Sequence, residues 1–158
     1  LSMGLPSYEA GINSYELWDA LKDYPAEKVV IIDSCFSGVF IDTNFTIDNT
    51  SAKRFIDRFT SPWRARSKSG ELAQKGFTAI VACRSNQETN ATQSNGLFTA
   101  AVCAGAGWDV EKDEKTKMKA DKNKNGRVTL SELVRYVKKK KKNSMSYGSN
   151  KGMIIFAR

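Results

Sequence analysis

The sequence contains no histidine among its 158 residues. Histidine is the most frequent general base in enzymes and a common zinc ligand, so no residue of this chain fills either role with an imidazole. Three cysteines are present, Cys35, Cys83 and Cys103. They are too few and too widely spaced for a disulfide framework, and no two have the spacing of a metal-ligand pair. Together these absences predict a reducing compartment, and we expect the cytoplasm.

Long apolar runs and negative charge are also scarce. No run approaches the roughly 20 residues that a membrane-spanning helix needs, so we expect no membrane partner. Lys and Arg number 25 against 17 Asp and Glu, which gives a net charge of +8. The basic residues gather in 53–75 and 138–142 without the aromatic and glycine pattern of an RNA-binding module. This pattern favours solvated surfaces over a nucleic-acid interface.

The distribution of apolar residues predicts an α/β fold. Helices are expected at 14–24, 96–107 and 129–142, and strands at 28–33, 77–83 and 152–157. The run VVII suggests a strand that is covered on both faces, as in a parallel sheet. Three strands make a thin sheet, so the chain is expected to be the C-terminal part of a larger, mostly parallel sheet flanked by helices. Residues 39–76 form a long polar and basic connection between the first two strands.

The segment VVIIDSCFSG, residues 29–38, places Cys35 just after a strand, where chemistry gathers in open α/β sheets. One interpretation is a small buried thiol, the usual fate of a lone cysteine beside a strand. The other is a nucleophile. Asp33 would be costly to bury without a partner, and the small residues Ser34, Ser37 and Gly38 leave the sulfur accessible. They also leave a backbone N–H free to face a developing oxyanion.

VVIIDSCFSG, the later TAIVACRSNQET, GLFTAAV and the closing strand with its preceding helix resemble the caspase-like cysteine peptidases, especially the bacterial and metacaspase-type members. The resemblance covers nearly the whole chain, 1–158, as part of one peptidase domain. It implies that Cys35 is the nucleophile that forms a thioester, with its own N–H helping to hold the oxyanion. It also implies that Asp33 lies in the primary specificity pocket and selects Arg or Lys, since a carboxylate pairs well with a guanidinium.

The segment ACRSNQET departs from the metacaspase pattern at the same pocket. Many members have a second acidic residue where this chain has Ser85, which weakens the expected selectivity for basic residues. Gln87 and Glu88 are the remaining candidates for lining the pocket. The expected substrate is therefore a peptide or protein cleaved after Arg or Lys, and no cofactor is required.

The catalytic base of caspase-like enzymes is a histidine about 50 residues upstream of the cysteine, and counting back from Cys35 passes Leu1. We therefore expect the histidine on an upstream portion of the same polypeptide or on a cleaved large subunit. Residues 39–76 would then be a long intersubunit loop. Its basic residues, Arg64 among them, offer sites for autoprocessing, and an ordinary solvated loop is the alternative. The alternative function is a catalytically inactive adaptor or a calcium-responsive interaction domain on the same fold.

The segment DKNKNGRVTLSE, residues 121–132, fits the twelve-residue pattern of a calcium-binding loop. The ligands would be Asp121, Asn123, Asn125, the Arg127 carbonyl and Glu132, with a glycine at the sharp turn. Only two of these ligands carry charge, and nearby lysines would weaken a calcium site by repulsion. The alternative is a turn rich in Asp and Asn that caps the following helix. Calcium thus remains a possible cofactor on the sequence alone.

Overall fold

The computed structural model describes residues 14–35, 37–42, 72–84, 96–148 and 150–158. Its helices are α1 (Ser14–Leu21), α2 (Leu97–Ala106) and α3 (Leu130–Lys140), and a 3₁₀ helix spans Ser37–Phe40. Its strands are β1 (Lys28–Ile32), β2 (Phe77–Val81), β3 (Trp108–Asp109), β4 (Glu114–Lys115), β5 (Arg127–Thr129), β6 (Met145–Tyr147) and β7 (Ile154–Ala157). The α/β class predicted from the sequence is confirmed. Most of the predicted long connection, 43–71, lies outside the described residues.

The main sheet has the order β1-β2-β6. β1 and β2 run parallel, with Lys28 opposite Phe77 and Ile32 opposite Val81, whereas β6 runs antiparallel to β2. Two small antiparallel ladders, β3–β4 and β5–β7, lie outside this sheet. The prediction that the final segment supplies the third strand was therefore wrong. β7 pairs with β5, and the third strand is β6, which is too short and too polar for its pattern to predict.

Helices cover the main sheet on both sides. On one face, α1 and the 72–77 segment pack against β1 and β2 through an apolar cluster that includes Trp18, Leu72 and Val81. On the other face, α2, α3 and the β5–β7 ladder enclose a larger cluster that includes Ile80, Phe98 and Leu133. β2 is buried along its whole length because it lies between these two layers. No helix in the described ranges is long and apolar enough to cross a membrane.

Described elements cover β1 on one face only, which corrects the prediction for VVII. Val30 and Ile32 face the α1 layer, but Val29 and Ile31 remain 42% and 40% exposed. Ile31 lies opposite the buried Ile80, so both point toward the α2–α3 side of the sheet. The α2–α3 layer covers β2 but does not extend over β1. Among the described strands, β1 also pairs on one edge only.

α3 forms because its sequence combines a strong N-terminal cap with an apolar stripe. The Thr129 side chain accepts a hydrogen bond from the Glu132 backbone N–H, and the Glu132 side chain accepts one from the Thr129 N–H. This reciprocal capping box satisfies two helix-end donors. Leu130, Leu133 and Val137 then point into the core, while three lysines in the last turn complement the helix dipole.

Candidate functional site

The carboxyl ends of β1 and β2 lie side by side because the two strands are parallel. The ladder continues one step past both strands, where the Ala82 N–H donates to the Ile32 carbonyl over 3.0 Å. Asp33, Ser34 and Cys35 follow at this edge on β1, and Cys83 follows on β2. Sequence reasoning predicted this location for Cys35 from the apolar run alone.

A buried hydrogen-bond group fixes the turn that carries Cys35. Ser37 and Cys83 are 0% and 1% exposed. The Ser37 hydroxyl accepts from the Cys83 N–H at 3.3 Å and lies 3.6 Å from the Cys83 sulfur. The Cys83 thiol in turn donates to the Ser34 carbonyl at 3.3 Å. Ser34 and Ser37, one on each side of Cys35, are therefore both hydrogen-bonded to Cys83 at the end of β2.

Cys35 itself is exposed, whereas Cys83 is buried and Cys103 is half-buried. Within the described part of the chain, neither the Cys35 thiol nor its backbone N–H makes a hydrogen bond. Cys35 thus has an accessible sulfur and a backbone N–H without an acceptor among the described residues. These are two of the groups that acyl transfer requires, a nucleophile and an oxyanion donor.

Asp33 caps helix α2 from a distance of 66 residues along the chain. Its Oδ2 accepts from the Thr99 N–H at 3.1 Å and from the Thr99 hydroxyl at 2.6 Å. Gly96, the residue before α2, has no side chain to cap the helix. A Cβ on Gly96 would overlap the Asp33 carboxylate. Asp33 therefore satisfies one of the N-terminal donors that every helix leaves unpaired.

Asp33 is exposed, two positions before Cys35. Among the residues that the structure describes, no donor reaches its Oδ1. The other predicted pocket residues, Ser85, Gln87 and Glu88, lie outside the described ranges. The structure thus brings Cys35 and Asp33 to one edge, and the predicted pocket around them stays a prediction.

The predicted calcium loop is folded around the side chain of Asp121. Its Oδ1 accepts from the Asn125 N–H at 3.2 Å, and its Oδ2 accepts from the Gly126 N–H at 2.8 Å. Gly126 has φ of +76°, a left-handed conformation that favours glycine. Asn123 and Asn125 accept from backbone N–H groups two residues later. Both asparagines are exposed.

Glu132, at the end of the loop, contacts the backbone of Lys122 and Asn123 at its beginning. Hydrogen bonds from the Thr129 N–H and hydroxyl lower the pKa of Glu132, and the backbone N–H groups of Lys122 and Asn123 lower it further. The Arg158 N–H donates to the Gly126 carbonyl. Hydrogen-bonded and non-hydrogen-bonded residue pairs alternate along an antiparallel ladder, so the next pair, Arg127 and Ala157, is not hydrogen-bonded. The backbone groups of Arg127 therefore point away from β7. The carbonyl predicted as a ligand does not pair with β7. In the described ranges, however, no group of three or more His, Cys, Asp or Glu side chains is placed to hold a metal.

Comparison of the chain with protein-family models, with curated proteins and with solved structures found no match. The resemblance to caspase-like peptidases therefore depends on the sequence segments named above.

Sequence reasoning missed three residues of this edge, Ser37 as a buried anchor, Thr99 and Gly96. Each acts through a partner 46 to 66 residues away along the chain. A local pattern carries no information about such partners. The one available signal was Asp33 itself, because a carboxylate directly after a buried strand requires some donor.

Proposed function

We propose that the chain is the C-terminal portion of a caspase-like cysteine endopeptidase in which Cys35 is the nucleophile. The observation that carries the proposal is the state of Cys35 at the carboxyl edge of β1 and β2. Its thiol is exposed, its N–H has no acceptor within the described ranges, and its turn is fixed by the Ser37–Cys83 hydrogen bonds. A cysteine with a purely structural role is expected to be buried, as Cys83 is.

In the proposed reaction, the Cys35 sulfur attacks the carbonyl carbon of the scissile peptide bond after losing its proton to a base. The Cys35 N–H donates to the oxyanion that forms. The base returns the proton to the leaving amine, and the C–N bond breaks to give a thioester. Water then hydrolyses the thioester and restores the thiol. These steps require a base near the sulfur, and the chain has no histidine.

We assign the base to a histidine on an upstream portion of the polypeptide. The uncovered side of β1 supports this assignment. Val29 and Ile31 are both at least 40% exposed, on a face of β1 that no described element covers. An additional segment that packs on β1 would bury both side chains and lie beside the Cys35 turn.

The proposed preference for Arg or Lys substrates depends on Asp33. Thr99 occupies Oδ2 and fixes the plane of the carboxylate, while no donor of the described residues reaches Oδ1, which we propose binds the cation. A guanidinium that binds one oxygen of an exposed carboxylate gains modest affinity, because solvent screens the pair. We therefore propose a preference for basic residues rather than a strict requirement.

The test uses the full-length polypeptide with its upstream portion and fluorogenic peptides ending in Arg, Lys, Leu or Asp. We expect Arg and Lys peptides to be cleaved fastest. Cys35→Ala should lower kcat/KM at least about 10³-fold, as loss of a nucleophile does. Cys103→Ala is the matched control because it removes a thiol elsewhere, and its activity should stay within about twofold of the parent.

Retained cleavage by Cys35→Ala would remove the nucleophile assignment. Absence of cleavage of every peptide by a folded full-length protein would favour the inactive adaptor instead. Equal rates on Asp and Arg peptides would leave the peptidase assignment intact and overturn the proposed role of Asp33.

We propose calcium binding by residues 121–132 as a second, independent function. The observation that supports it is that Asp121 closes the loop by accepting from the Gly126 N–H, while Glu132 is hydrogen-bonded at the end of the loop. Oxygen ligands of this kind suit calcium. With two carboxylates in the set, we expect weak affinity, at about 10⁻⁴–10⁻³ M, as in extracellular modules.

Calorimetry and thermal unfolding with 10 mM Ca²⁺ as titrant test this proposal. At a Kd of about 1 mM, that concentration stabilises the protein by about 1.4 kcal/mol. Asp121→Asn should abolish the shift, whereas Asp113→Asn, which removes an exposed acid outside the loop, should preserve it. No heat and no shift in the parent protein would assign the loop to a helix-capping turn alone.

A further inference from the structure

A small recess lies between α3 and the loop that precedes it. Its volume is about 90 Å³, several times the roughly 10–15 Å³ that a single water needs. The buried Ala120 and the half-buried Tyr136 contribute apolar surface to its lining. Tyr136 also lines it with a phenol whose pKa is raised by burial, so the hydroxyl keeps its proton and can donate.

Four exposed cationic residues line this recess, and they come from two elements. Lys119 and Lys122 come from the loop, and Arg135 and Lys139 come from α3. Arg135 and Lys139 are four residues apart and therefore neighbours on the helix surface, where like charges destabilise each other. Of the ion pairs between described residues, none involves any of these four side chains. An ordinary protein surface intersperses both signs of charge, whereas four cationic residues and one acidic residue line this recess.

Glu132 is the one acidic residue in the lining, and it is engaged elsewhere. It is 9% exposed, and its Oε2 accepts from the Thr129 N–H and hydroxyl. These hydrogen bonds lower the pKa of Glu132 and keep it ionised, so its charge offsets one of the four cationic charges and the lining stays net positive. The local field in the recess favours an anion.

We propose that this recess binds the phosphate group of a small phosphorylated ligand. Arginine matches phosphate oxygens with its planar fork, and lysines add point charge from the opposite wall. The apolar surface of Ala120 and Tyr136 accepts the part of the ligand next to the phosphate. The site is separate from Cys35 and does not depend on peptidase activity. It shares Lys122 and Glu132 with the proposed calcium loop, so its test uses the chain without metal.

Isothermal titration calorimetry of the metal-free chain with inorganic pyrophosphate tests the proposal by measuring the binding affinity. We expect saturable binding that weakens as NaCl is raised. Arg135→Gln combined with Lys139→Gln should weaken binding at least tenfold. Lys138→Gln combined with Lys140→Gln removes the same charge from the same helix outside the recess, and should change affinity less than twofold. Lys119→Gln with Lys122→Gln, on the opposite wall, should reproduce the loss.

Adenosine diphosphate distinguishes a nucleotide from a free polyphosphate as the source of the phosphate, because only a nucleotide adds an apolar body. No binding of either compound at 10 mM would overturn the proposal. Equal losses in the recess pair and the control pair would show general attraction to a basic surface, which also overturns it. Tighter binding of a twelve-residue oligonucleotide or a tri-aspartate peptide than of pyrophosphate would assign the recess to an acidic polymer instead.

Discussion

The contact between Asp33 and Gly96 makes the effect of one substitution depend on another. In the parent protein, Gly96→Ala introduces a Cβ that would overlap the Asp33 carboxylate, and the three nearest atoms all belong to Asp33. The carboxylate would have to leave its position, and α2 would lose its hydrogen bonds from Thr99 to Asp33. In Asp33→Ala, the same Cβ no longer meets a carboxylate.

The expected magnitudes follow from two opposing effects. Loss of a helix N-cap costs about 0.5–2 kcal/mol. Gly96 has φ of −62° and ψ of 135°, which alanine adopts without strain. Replacing glycine there stabilises by about 0.4–1 kcal/mol through the unfolded chain. Gly96→Ala should therefore destabilise the parent by about 1 kcal/mol and stabilise Asp33→Ala by about 0.5 kcal/mol.

Urea unfolding at pH 7 of the parent, both single variants and the double variant measures this difference as a coupling free energy. With a typical m-value of about 1–3 kcal/mol/M, a change of 1 kcal/mol moves the midpoint by about 0.3–1 M. The expected coupling free energy is about 1.5 kcal/mol. This value is well above the deviation from additivity that independent sites show. Gly96→Ala effects of the same sign and size in both backgrounds would refute the contact and the cap.

Three further predictions concern other parts of the fold. Leu133→Ala removes a fully buried side chain between α2 and α3 and should cost about 2–5 kcal/mol, whereas the exposed Lys138→Ala should stay within about 0.5 kcal/mol in the same urea assay. Ser37→Ala leaves the buried Cys83 N–H without its acceptor and should lower the free energy of unfolding by about 1–3 kcal/mol. Hydrogen exchange of the Cys83 amide should become faster, and an unchanged exchange rate would contradict the Ser37–Cys83 hydrogen bond. Glu132 has a pKa lowered from 4.5 by Thr129, so its stabilisation is complete above that pH and lost as pH falls through the lowered pKa. Glu132→Gln should therefore be less stable at pH 7 and show a flatter pH dependence of unfolding free energy below 4.5, and an unaltered slope would count against this role.

The sequence by itself determined the elements with strong local signals. The apolar run before Asp33, the buried 77–81 segment and the amphipathic 130–140 helix all form where their patterns predict, because burial of a periodic apolar face dominates local structure. The Thr129–Glu132 capping box is likewise determined by four consecutive residues. The placement of Cys35 at a strand end follows from the same local information.

Tertiary structure alone decided which strands pair and what Asp33 does. β6 and not β7 joins β2, because pairing depends on where α3 returns the chain and not on strand propensity. The β-branched side chains of Val29 and Ile31 predict burial. Both are exposed because the α2–α3 layer does not extend beyond β2. The partners of Asp33 and Cys83 lie 66 and 46 residues away, so only the folded chain brings these donors and acceptors together.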